Sequence, residues 1–171
     1  MPLGLGRLYD LVGAFAPLDL QTARSGDYVS LKNCGGVDVL IYKGAGTDGD
    51  DPTFTLRQAT DVAGTSVKDA AVITEYYEKE AATDLTGTGT WTRVTQSAAA
   101  TIAPGDPSAQ DVAMYLFHVE ASQLDLANGF DCIAVNSADV GTNAQLGTIV
   151  YILTDLRHKT VPQNLPNSIA D

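Results

Sequence analysis

Short runs rich in Val, Ile, Thr, Tyr and Phe recur along this chain, separated by clusters of Gly, Asp, Asn, Ser and Pro. That is the punctuation of an all-β protein. In residues 37–42, Val37, Val39 and Ile41 fall on one face and Asp38, Leu40 and Tyr42 on the other, because successive side chains of a strand point to opposite sides. Residues 53–60 set Phe54, Leu56 and Gln58 against Thr53, Thr55 and Arg57, so one face suits a core and the other suits water. Residues 112–120 and 146–153 are apolar on both faces for most of their length, which predicts strands central to a sheet or held between layers. Residues 28–33, 90–96 and 130–136 complete a set of about seven or eight strands, the number and spacing of a β-sandwich or jelly roll.

The span from Asp69 to Ala82 reads two ways. Val72, Ile73, Tyr76 and Tyr77 fit a helical face, while the β-branched run Val72, Ile73 and Thr74 favours a strand, and a strand is the expectation. A short helical turn is expected to start at Ser122 and to stop before the turn dipeptide Asn128 and Gly129. The ends differ from the middle. Residues 1–25 are rich in Gly, Leu and Pro without clean periodicity, and the last residues carry Pro162 and Pro166. The expected organisation is one β-sandwich domain over residues 26–158, with extended terminal arms at 1–25 and 159–171. Leu3, Leu5, Leu8, Leu11, Val12 and Phe15 form an apolar series in the first arm, where Gly4, Gly6, Gly13 and Pro17 oppose a helix. These six are the candidate intersubunit or shell contacts; the alternative is that their segment adds a strand to its own sandwich.

A chain of 171 residues is the size of one domain, able to bury roughly 70% of the surface its unfolded form exposes. Apolar residues at 44% and charged residues at 18% indicate neither general disorder nor a membrane protein. Ten basic residues against 21 acidic ones leave a net charge of −11, spread along the sequence. Such a field repels phosphates, so nucleic acid is not an expected partner. Arg7, Asp10 and Pro17 interrupt the first apolar stretch and no basic start precedes it, so no export signal is read there. No uninterrupted apolar run is long enough for a membrane helix. In that setting Cys34 and Cys132 read as two small buried hydrophobes, with a disulfide as the alternative.

Candidate chemistry is sparse. GAGTDG at residues 44–49 matches G-x-G-x-x-G after a strand, but Asp50, Asp51 and Pro52 follow. A pyrophosphate loop must instead open onto a helix amino end. A glycine-rich hairpin loop is the expectation. Asp48, Asp50 and Asp51 on that loop could offer oxygen ligands to Ca²⁺, yet the spacing lacks the EF-hand pattern and its distal Glu, and a solvated turn is preferred. His118 in MYLFHVE and His158 in LRHK have no acid and nucleophile in a recognisable arrangement nearby. For His118 a half-buried strand position is expected. Trp91 with Tyr76, Tyr77 and Tyr115 could line a carbohydrate site, but core packing is the better expectation. H-E-x-x-H, paired C-x-x-C, G-x-S-x-G and Walker patterns are all missing from the sequence. No enzymatic activity, cofactor or metal is expected.

Three phrases carry a resemblance: GDYVSLKN at 26–33, GTDGDDPTFTLRQATDVAGT at 46–65 and GFDCIAVNSADVGTNAQLG at 129–147. Across about residues 24–157 the chain resembles small virion proteins of tailed bacteriophages, of the kind that decorate or cement the head shell. The resemblance implies a protein without substrate, assembled in the host cytoplasm, that binds the major capsid protein on the outer surface of the head. It also implies self-association, most readily as a homotrimer, and no membrane partner. Two alternatives stay open: another virion component, such as a tail, neck or fibre-associated subunit, and a carbohydrate-binding module.

Overall fold

The computed structural model describes residues 4–81, 90–104, 111–139 and 141–170. Among them the regular structure is almost entirely β. In chain order the strands are β1 (Tyr9–Asp19), β2 (Val29–Ser30), β3 (Gly36–Lys43), β4 (Phe54–Ala59), β5 (Lys68–Asp69), β6 (Ile73–Ala81), β7 (Thr92–Ala99), β8 (Thr101–Ile102), β9 (Val112–Glu120), β10 (Cys132–Ser137) and β11 (Leu146–Thr154). Three single turns of 3-10 helix, Ala121–Gln123, Leu126–Asn128 and Pro162–Asn164, are the helical content of the described residues. All strand pairs are antiparallel. One sheet has six strands in the order β1-β11-β3-β9-β6-β7, and the other runs β2-β10-β4-β5 with β8 on the same edge of β4 as β5.

The expected all-β sandwich is therefore the fold. Its core forms where the alternating apolar positions of the two sheets meet: Val37, Val39, Ile41, Tyr115, Phe117 and Tyr151 from the larger sheet, with Phe54, Leu56, Ile133 and Val135 from the smaller, are all buried. Phe54 and Tyr115 bring the layers together with ring centroids 6.1 Å apart. A second tie is polar. The Val135 N–H donates to the Tyr151 hydroxyl at 2.9 Å, on the length of β10 that the two-residue β2 leaves uncovered. Gly26 makes that tie possible, since a Cβ there would lie 2.5 Å from the Val135 carbonyl and 2.8 Å from the Tyr151 hydroxyl.

The span after Asp69 turns at Ala71 and Val72 and is then extended, as β6, from Ile73 to Ala81; Ala82 lies outside the described residues. The turn expected from Ser122 becomes two separate 3-10 turns, the first secured by the Glu120 N–H donating to Gln123 Oε1 at 2.9 Å. Gly129 closes the second at φ 82°, a backbone state that side chains with a Cβ resist. Cys34 and Cys132 are both buried free thiols. Burial is the main reason the Cys34 pKa is pushed up to about 11.

The first arm is where expectation and structure part. Residues 9–19 are not extended away from the sandwich but form β1, paired along β11, with Ala14 and Leu20 in the core. Two register shifts, between Gly13 and Phe15 and between Phe15 and Leu18, explain why the sequence lacks a clean period of two there. Each irregularity resets which side chains face inward. Pro17, which has no N–H to give a ladder, is accommodated in the irregular stretch of an edge strand. The far end is also tied down: the Thr160 N–H donates to the Gly6 carbonyl, the Ser30 N–H donates to the Ser168 carbonyl, and Leu165 packs against the core.

Candidate interaction surface

Burial alternates along β3, β9 and β11: Val37, Val39 and Ile41 point inward while Asp38, Leu40 and Tyr42 point outward, and the same holds for Ala113, Tyr115 and Phe117 against Met114, Leu116 and His118. Strand register then sets the outward residues in rows across the sheet. The central row is Val150, Leu40, Leu116 and Tyr77. On one side lies the row Thr148, Tyr42, Met114 and Lys79; on the other, Leu11, Ile152, Asp38 and His118. An antiparallel sheet facing water normally shows it polar side chains, whereas the central row of this face is apolar across four neighbouring strands. Its outer parts are open: Leu11 is 50%, Tyr42 46% and Leu146 64% exposed. Pro17, Tyr42, Gly44 and Leu146 line a shallow hollow of about 280 Å³ at one end. Apolar patches of this extent mark sites of association.

Charges gather at the ends of the face. Lys79 sits over the Trp91 ring, 4.9 Å from its centroid. Toward the opposite end His118 lies between two carboxylates, with Nδ1 2.6 Å from Asp38 Oδ1 and Nε2 3.4 Å from Glu120 Oε1. Glu75 on the same side is ion-paired with Arg93. This pairing of a histidine with acids holds the ring on the outward side of β9 with 43% of its side chain exposed, the half-buried strand position expected for His118.

The other expected sites are dispersed. Leu3 lies outside the described residues. Leu5 makes an isolated bridge to Tyr9, Leu8 is 67% exposed beside the tail, Leu11 joins the outer sheet face, and Val12 and Phe15 pack toward the core. The six candidate contacts thus do not share one surface. Tyr76 and Tyr115 are buried edge to face, 6.4 Å apart, while Tyr77 and Trp91 belong to the opposite side of the sheet, so the four aromatics line no common carbohydrate cleft. The loop from Gly44 carries the chain from one sheet to the other instead of closing a hairpin, and it runs into β4, not a helix. Asp50 accepts hydrogen bonds from the Asn143 backbone and side chain at 3.2 and 2.9 Å, while Asp48 and Asp51 are exposed. Among the described residues no three His, Cys, Asp or Glu side chains are grouped to hold a metal ion. No helix of the described residues is long and apolar enough to cross a membrane.

No family model and no curated protein matches this chain.

Two features escaped sequence reasoning. One is the outer face itself: the doubly apolar runs in β9 and β11 point to coverage on both sides, but the second layer covers only one. The other is Lys43, which ends β3 on the inward side and is only 1% exposed. Its Nζ donates to the carbonyls of Asp111 and Gly44, and burial lowers its pKa to about 8 against the opposing pull of Glu80, Asp111 and Asp51. The position continues the inward alternation of Val37, Val39 and Ile41, which is the signal that could have found it.

At the end of the sandwich where β1 begins and β11 ends, the two terminal segments meet. Arg7, Leu8, Lys159, Thr160 and Val161 line a groove of about 590 Å³ between them.

Proposed function

We propose that this chain is a non-enzymatic virion structural protein of a tailed bacteriophage, one that binds the major capsid protein on the outer surface of the head and stabilises the shell as a decoration or cement protein. The observation that carries this reading is that a stiff two-layer β core is built to associate, with an apolar sheet face and, apart from it, an apolar and basic groove at the termini. A protein built to be surrounded only by water has no use for such a face. The three phrases that resemble virion proteins lie together in the fold, supplying β2, β4, β10 and the loops that flank them. A net charge of −11 suits the outside of a shell better than its DNA-facing interior. For contact with the shell, the groove between the termini offers exposed Leu8 and Val161 beside Arg7 and Lys159. That arrangement joins apolar area to positive charge on an otherwise acidic molecule.

The test is direct. Mass spectrometry of phage particles containing this chain should find it in stoichiometric amount, and cryo-electron microscopy should place its density outside the head. Leu8→Asp combined with Val161→Asp should release the protein from shells without lowering its thermal stability. Density in the tail, neck or fibres would move the protein to the alternative virion reading, and absence from the particle would end both.

A further inference from the structure

We infer that the outer face of the six-stranded sheet is a contact between two copies of this chain, packed face to face about a two-fold axis with their strands running in opposed directions. Three observations point to a second copy as the occupant. The first is size. The apolar rows span about four strands at ~4.8 Å spacing and about seven residues at ~3.3 Å, so stacking two such faces buries on the order of 900 Å² in all, the size of a weak, reversible contact. The second is composition. The central row Val150, Leu40, Leu116 and Tyr77 carries no charge, so two such rows meet without a desolvated ion, and side chains of stacked sheets interdigitate much as the two layers of one sandwich do.

The third is the placement of charge. Lys79 lies at the level of Met114, whereas Asp38 and Glu75 lie on the other side of the Leu116 row. Inverting one copy along the strand direction brings each Lys79 toward the carboxylate end of its partner. A two-fold axis along the strands would instead reverse the strand order and set Lys79 over the Thr148 end of β11, so the inverted arrangement is the one that brings Lys79 to a carboxylate while the apolar rows supply the affinity. Such a patch is complementary to itself, as a two-fold interface requires.

This pairing does not rest on the shell reading, because it is measured in solution with the full chain. Sedimentation equilibrium from low to high micromolar concentration should show a reversible monomer–dimer system. Leu116→Lys should raise the dissociation constant by on the order of a hundredfold or more, since each substitution is met twice across the axis. The monomer should keep its circular dichroism and melting temperature, because a lysine is an ordinary side chain on a water-facing sheet. Should Leu116→Lys fail to fold, the double variant Leu40→Thr with Val150→Thr keeps strand propensity and should weaken the dimer in the same direction. A wild type that stays monomeric at every concentration overturns the pairing, as does a trimer, or a dimer indifferent to both variants. A face that exchanges freely in solution and is protected only on a particle belongs to the shell contact, which overturns the pairing and leaves the shell reading standing.

Discussion

Lys43 shows how one position can bias the whole fold's response to pH. Its pKa in the folded protein is lowered to about 8 from an ordinary value of 10.5, so between those values the unfolded chain holds a proton that the folded one has released. Stability from this group therefore rises with pH across the window and is flat below it. Against Lys43→Met as reference, wild-type stability should gain from pH 8 to 10.5 in urea titrations, and parallel profiles would show that the side chain reaches water after all. Gly26 acts by its lack of a Cβ. Gly26→Ala forces atoms onto the Val135 carbonyl and the Tyr151 hydroxyl and should cost about 1–3 kcal/mol, read as a lower urea midpoint with an unchanged slope. Gly26 was not legible from sequence, and the alternation that places Lys43 inward was overridden by its charge. A lysine at the end of an apolar alternation looks like a strand leaving the core, and a glycine before β2 looks like a turn.

At the scale of elements, the strands that sequence reasoning found are those whose two faces differ or whose apolar run is long, β3, β4, β9 and β11. Residues 28–33, 69–82, 90–96 and 130–136 were also expected as strands and contain or overlap β2, β6, β7 and β10. β1 stood only as the alternative to an arm because its period of two is broken twice by register shifts, and β5 and β8 were missed because two residues carry no period. β1 now changes what truncation should do. Removing residues before Gly26 takes Ala14 and Leu20 from the core and strips one of the two partners of β11 along its whole length, leaving it an open edge. The truncated chain should melt many degrees lower or fail to fold, rather than persist as a stable subunit with weakened association. A truncated protein that keeps the full-length melting temperature would mean that β1 contributes contacts between molecules and not to its own sheet.

On the scale of the whole molecule, two forces of opposite sign meet at the outer sheet face. The apolar rows favour association and do not depend on salt, whereas two bodies of charge −11 repel one another. That repulsion reaches about 30 Å at 0.01 M ionic strength and about 3 Å at 1 M. The attraction between Lys79 and the carboxylates of a partner is an exposed ion pair, worth about 1 kcal/mol at most, so screening it loses less than screening the general repulsion gains. Dimerisation through this face should therefore tighten as salt rises from about 0.02 to 0.5 M, with the steepest change at the low end where the screening length shortens most. An interface built from the groove at the termini has the opposite sign: Arg7 and Lys159 would attract an acidic partner, and added salt would weaken it. Sedimentation equilibrium at several salt concentrations separates the two, because an association constant that falls with salt would assign the contact to the charged groove and not to the apolar sheet.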